Sequence, residues 1–201
     1  MTNVADKIFA EDQALVFATL AHGDQRRKYT DDPYIRHPCR VAGLVRIYLG
    51  NDSEVIAAAL LHDVIEDTSV TLAQLELFFS DRVVRLVQQL TDVSRPEDGN
   101  RAVRKELDRQ HIAKASPEAK TIKLADLIDN AHSIVEFDPS FAKVFMKEKA
   151  ALLEVLTEGN ERLLHEARAI VADYYDGSEL GDRTELWDFV RAEEEGFYYA
   201  Y

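Results

Sequence analysis

The stretch "LLHDVIEDT" at residues 60–68 sets a His-Asp pair three residues ahead of a Glu-Asp pair, among apolar neighbours. On a helix, positions three and four apart share a face, so His62 stacks above Glu66 and Asp63 lies beside both Glu66 and Asp67. An unpaired carboxylate in an apolar setting is very costly. A divalent metal resolves the problem, because imidazole and carboxylate are both ligands and the ion supplies the missing positive charge. The segment "KLADLIDN" repeats the pattern: Asp126 sits among Leu124, Ala125, Leu127 and Ile128, with Asn130 one turn further on the same face. His37, in "YIRHP", provides another imidazole.

His37, His62, Asp63 and Asp126 therefore make a two-His, two-Asp site drawn from three helices, with open positions for water and substrate oxygens. Metal lowers the pKa of a bound water from ~15.7 toward ~7. Glu66 or Asp67, about one helical turn beyond the ligands, can take the proton. Each signal alone also has a plain structural reading. His37 could be an ordinary helix-start histidine, His62-Asp63 a chance dipeptide, and Asp126 a partner for Lys123. The specific feature is the joint order His…His-Asp…Asp.

Positioning such a site requires helices. Only 8 Gly and 5 Pro occur in 201 residues, and long stretches carry no breaker, which favours an all-α fold with one core. A first helix is expected over Val4–His22, with Ile8, Ala14, Leu15, Ala18 and Leu20 as its apolar stripe. The polar loop "GDQRRKYTDDPY" follows, then a helix with Pro38 in its first turn and Gly50 at its stop. A third helix, capped by Asp52 or Ser53, is expected to run unbroken through the "LLHDVIEDT" stretch. Thr71 and Gln74 have capping-box spacing for a short fourth.

An apolar face over Val83–Leu90, the loop "SRPEDGN", a polar helix after it, and a helix opened by Ser116 and Pro117 come next. A last long helix starts at "DPSF" and is expected to continue to about Tyr174. The expected whole is a single-domain bundle of about nine helices over 1–175. An acidic, aromatic extension over 176–201 would hold a short amphipathic helix around Glu185–Arg191.

The formal net charge of −13 argues against a general nucleic-acid binder. Arg26, Arg27, Lys28, Arg36 and Arg40 nevertheless form a local cationic island, and local field outweighs net charge in anion binding. Lys143, Lys147 and Lys149 are assigned to a solvated helix face, with reach to phosphates as the alternative. The lone Cys39 excludes an internal disulfide. No signal pattern opens the chain, and no apolar run approaches the ~18 residues of a membrane span. A cytoplasmic enzyme with a small-molecule partner, neither nucleic acid nor membrane, is the expectation; homo-oligomerisation is left open.

Taken together, "RRK…PYIRHPCRVA", "AALLHDVIEDT", "F…VVRLVQQLTD" and "SPEAKTIKLADLIDN" resemble the HD phosphohydrolase superfamily over roughly residues 14–170. Within it they are most similar to the hydrolase domain of RelA/SpoT homologues in its small stand-alone, Mesh-like form. The resemblance implies an HD-type helical bundle with Mn2+ held by His37, His62, Asp63 and Asp126. Glu66 and Asp67 would position and deprotonate the attacking water, while Arg27, Lys28 and Asn130 would contact the nucleotide. The implied reaction removes the 3′-pyrophosphate of (p)ppGpp, giving GDP or GTP plus pyrophosphate.

Five positions depart from the family's pattern. Leu127 stands where a basic residue is common, Asp129 where His or Tyr is, Arg36 where Asn is, and "NAHS" replaces "N-x-Arg-Thr". His132 then becomes a candidate phosphate donor. These changes leave (p)ppApp, another nucleotide phosphate such as the NADPH 2′-phosphate, or a non-catalytic nucleotide-binding module as alternatives.

Overall fold

The helices form where the sequence supplies caps. In the computed structural model, which describes residues 4–177, ten α-helical segments succeed one another. They are α1 Val4–His22, α2 Arg36–Leu49, α3 Ser53–Leu60, α4 Val64–Asp67, α5 Leu72–Leu75, α6 Asp81–Leu90, α7 Arg101–Ile112, α8 Pro117–Phe137, α9 Pro139–Leu153 and α10 Glu161–Asp176. Asp52, Ser80, Asn100, Ser116, Asp138 and Asn160 each accept hydrogen bonds from the opening turn of the helix they cap. The Thr71–Gln74 capping box is present. Gly50 ends α2 at φ 76°, a conformation that favours glycine. Among the described residues no strand occurs, only an isolated antiparallel bridge between Arg26 and Pro33 in the loop before α2. No described helix is long and apolar enough to cross a membrane. The expected helix around Glu185–Arg191, like the rest of 178–201, lies outside the described residues.

α3 is the central element. Val55 to Leu61 are all essentially fully buried, each large side chain contributing about 1.5–3 kcal/mol of burial free energy. It packs on α1, α2 and α6, while α8 packs on α2, α6, α9 and α10. Ala14 and Ala18 face this core from α1, but Leu20, expected in the same stripe, is 76% exposed.

Two helices expected to be continuous are split. The third helix breaks at 61–63: Leu61 (φ −101°, ψ 0°) and Asp63 (φ −97°, ψ −5°) adopt the bridge conformation. The last long helix breaks at 154–160. Asn160 starts α10 there by accepting from Arg162 N and Leu163 N while giving its Nδ2 to Tyr48 O. Gly159 crosses α8 so closely that a Cβ would stand 2.9 Å from Leu124 Cδ1.

Candidate metal centre

The first break creates the site. A continuing helix would give the Ala59 carbonyl to the Asp63 N–H. Instead the Leu61 N–H is shared between Ala57 O and Ala58 O, and His62 Nδ1 takes Ala59 O at 2.8 Å. That bond puts a proton on Nδ1 and turns Nε2 inward. His37, at the second residue of α2, is anchored differently. Its Nδ1 lies 2.6 Å from Asp129 Oδ2 on α8, and Arg40 clamps Asp129 with Nε at 2.6 Å and Nη2 at 3.1 Å.

Both Nε2 atoms thus converge, with the rings 5.0 Å apart. Asp63 Oδ2 stands 3.1 Å from His62 Nε2 and 3.3 Å from His37 Nε2. Asp126 Oδ1 stands 3.8 Å and 3.3 Å from the same two atoms. Yet neither Nε2 has an aligned hydrogen-bond partner, although both imidazoles are buried. His37, His62 and Asp63 offer ligand atoms within 4.8 Å of one another. Two orphaned nitrogens facing carboxylate oxygens make a donor set that fits a divalent cation.

The electrostatics agree. Burial alone would lower the His37 pKa, but Asp126, Asp129 and Asp63 outweigh it and raise it to about 9. His62 is raised by Asp63 and Asp126 in the same way, against the pull of burial. Burial acts to raise Asp63 and Asp126, yet the histidines, and for Asp126 first Lys123, hold both well below the usual carboxylate range. Without a cation, the two imidazoles must themselves carry the positive charge the carboxylates demand.

The side chains around this centre hold the carboxylates still. Tyr34 donates its hydroxyl to Asp63 Oδ2 at 2.6 Å. Asn130 Nδ2 donates to Asp126 Oδ1 at 2.6 Å, and Lys123 Nζ lies 3.0 Å from Asp126 Oδ2. Arg27 donates to Asn130 Oδ1 at 3.1 Å and to Ser133 Oγ at 3.4 Å, tying the loop before α2 to α8. Glu66 and Asp67 sit at the rim. Glu66 Oε1 accepts from the Asp92 N–H at 2.7 Å, and Asp67 Oδ2 accepts from Gln25 Nε2 at 3.1 Å. Glu66 reaches solvent although protein surrounds most of it. Burial, then the charges of Asp92 and Asp63, push its pKa up to about 7 against the pull of Lys123.

Of the ten residues expected in the site, the structure gathers His37, His62, Asp63, Asp126, Glu66, Asp67, Arg27 and Asn130. It does not gather the other two. Lys28 is exposed and occupied by the Tyr29 hydroxyl (3.0 Å) and Asp138 (3.3 Å). His132 is half exposed and 3.7 Å from Glu136. Two supposed departures at the nucleotide also face inward: Leu127 is fully buried, and Asp129 is engaged with His37 and Arg40. Sequence reasoning missed Tyr34, Arg40 and Asp129 as site residues. A usable signal existed, since Arg40 lies three residues after His37 and Asp129 three after Asp126, each on the same helix face as its ligand.

Comparison with known proteins follows the same lines. Residues 14–156 match the HD domain family model. The human protein named guanosine-3′,5′-bis(diphosphate) 3′-pyrophosphohydrolase MESH1 is 40% identical over 129 residues, 63% of this chain and 70% of that one. An Aquifex aeolicus guanosine-3′,5′-bis(diphosphate) 3′-pyrophosphohydrolase is 37% identical over 138 residues, 68% of this chain and 19% of that much longer protein. A solved structure described as a metazoan ortholog of SpoT that hydrolyzes ppGpp superposes with a TM-score of 0.74 at 29% identity, covering 82% of this chain and 95% of that one. With its His-Asp centre and these relatives, the chain belongs to the HD domain family.

Proposed function

We propose that this chain is a manganese-dependent pyrophosphohydrolase that removes the 3′-pyrophosphate of (p)ppGpp, giving GDP or GTP plus pyrophosphate. Residues 1–175 would be the catalytic unit and 176–201 an extension. The observation that carries the reading is the pair of buried, unpartnered Nε2 atoms on His37 and His62, aimed at Asp63 and Asp126. The curated relatives named as 3′-pyrophosphohydrolases of guanosine bis(diphosphate) supply the substrate class.

His37, His62, Asp63 and Asp126 would hold the cation, which supplies Lewis acidity and an acidified water. The chain's own residues do the rest. Tyr34 and Asn130 fix the two carboxylates by donating to Asp63 Oδ2 and Asp126 Oδ1. Glu66, steadied by the Asp92 N–H and poised near neutrality, receives the proton of the attacking water at its carboxylate. Asp67, fixed by Gln25, orients that water from the other side of the rim. Arg27, held through Asn130, keeps its positive charge beside the centre, where it favours an incoming phosphate.

The test is to incubate the purified, manganese-loaded protein separately with ppGpp, ppApp and NADPH and to separate the products by chromatography. GDP and pyrophosphate from ppGpp are the expected products. Pyrophosphate from ppApp alone would move the base preference to adenine. Orthophosphate from NADPH alone, or no turnover of any of the three, would overturn the reading.

A further inference from the structure

α9 carries three lysines, and the fold separates them. Phe141, Phe145 and Lys149 lie at successive four-residue steps and share a face. Lys143 and Lys147 are exposed, whereas Lys149 is half-buried with its ammonium 4.8 Å above the Phe145 ring. Two further lysines come from neighbouring helices. Lys105 of α7 is paired with Asp92 Oδ2 at 2.6 Å, and Lys123 of α8 with Asp126 Oδ2 at 3.0 Å. Lys149 lies within electrostatic reach of Asp126, Lys123, Lys105 and Asp92, but no carboxylate comes within 4 Å of it among the described residues. Glu66 and Asp92 act on Lys123 as well, so this cluster borders the side of the centre where Glu66 stands.

We propose that Lys149, backed by Lys123, is the anchor for the diphosphate that the reaction releases. A partly buried ammonium with no carboxylate partner is unfavourable, and an apolar side chain would pack on Phe145 without that penalty. The local charge balance explains what fills the gap. Lys105 is neutralised by Asp92. Once Asp126 gives its charge to a divalent cation, Lys123 and Lys149 are left beside the centre with positive charge that the protein does not balance. A group with two or more negative charges completes the set, and lysine serves as a point-charge partner for phosphate. The same crowding is visible in Lys149 itself: burial first, then the Lys123 and Lys105 ammoniums, lower its pKa to about 8. An anion docked there reverses that push.

The inference rests on the pyrophosphohydrolase reading for the identity of the anion but not for the site. The direct probe is inorganic pyrophosphate, titrated calorimetrically into the manganese-loaded wild type and into K149M and K149R. Loss of one charge-assisted contact predicts roughly 10- to 100-fold weaker binding in K149M and partial recovery in K149R. Manganese affinity should not weaken and the thermal midpoint should not fall, any change in K149M being upward as the buried charge is lost, a split that a merely structural lysine does not produce. With ppGpp, KM should rise more than kcat falls. If K149M binds pyrophosphate as the wild type does, or if the wild type does not bind it, the proposal is overturned. Wild-type protein that leaves ppGpp intact but loses pyrophosphate on K149M substitution would sink the proposed activity and keep the anion site.

Discussion

His37 and His62 perform one task from two kinds of setting. His62 stands in a helix break and takes its anchor from its own segment, the Ala59 carbonyl three residues back. His37 stands at the start of an unbroken helix with no local acceptor to spare, and takes its anchor from Asp129, 92 residues away, itself clamped by Arg40. A backbone carbonyl cannot be mutated away or titrated. A carboxylate can be both, so the α2–α8 half of the centre is the half that sequence change can tune.

The largest effects should ignore this difference. His37→Ala and His62→Ala each remove a nitrogen aimed at the same two carboxylates. Both should abolish manganese binding in calorimetry and cut ppGpp hydrolysis about 10³-fold or more. If one of the two variants keeps near-normal turnover, the centre is not shared. Next comes Glu66→Gln, which leaves both imidazoles in place and removes the proton acceptor, for a loss of about 10²- to 10⁴-fold in kcat. Because the Glu66 pKa is raised to about 7, the wild-type rate should climb as pH rises through that value and level off above it. The stability of the metal-free protein follows with the opposite sign. Glu66 holds its proton more tightly folded than unfolded, so its contribution is present below 4.5 and is lost as pH rises toward about 7. Thermal melts across that range should show a slope that Glu66→Gln flattens. An unchanged slope would remove Glu66 from its place beside the centre.

The two anchors also explain what could be read from the sequence. The residues that converge are legible because His62, Asp63 and Asp126 are polar residues among apolar helical neighbours, and His62-Asp63 with Glu66-Asp67 is a local pattern. The break at 61–63 was not, since apolar residues run straight through Val55–Leu61 and resume at Val64 with no Gly or Pro between them. The tertiary demand for an inward Nε2, not local propensity, stops that helix. The break before α10 did have a local mark, Gly159 followed by the capping Asn160, overlooked because hydrophobic periodicity continues across it. From the sequence Asp129 looks like a departure at the nucleotide because its partners lie in another helix; spacing within α8 alone cannot name them. Lys28 and His132 lie outside the centre, exposed beside Asp138 and Glu136.

Asp129 is where the comparison can be sharpened. Asp129→Ala should weaken manganese binding about 10- to 100-fold, by freeing the His37 ring from its anchor. Asp129→Asn keeps an acceptor for Nδ1 and should lose less. In both, the imidazole resonances of His62 should stay where they are, because its anchor is Ala59 O; a matching shift there would mean that the two halves are not independent.

Arg40→Lys tests the outermost link and should have the smallest effect. Lysine keeps the positive charge beside Asp129 but cannot span both carboxylate oxygens as the guanidinium does at 2.6 and 3.1 Å. Asp129 would still have Arg27 at 3.7 Å and its bond to His37. The loss is then one hydrogen bond of about 1 kcal/mol, or roughly fivefold in manganese affinity. That value must lie below the Asp129→Ala effect if the carboxylate is the anchor and the arginine only its support. Should Arg40→Lys cost as much as Asp129→Ala, the order of the chain is reversed: the guanidinium positions His37, and Asp129 merely neutralises it.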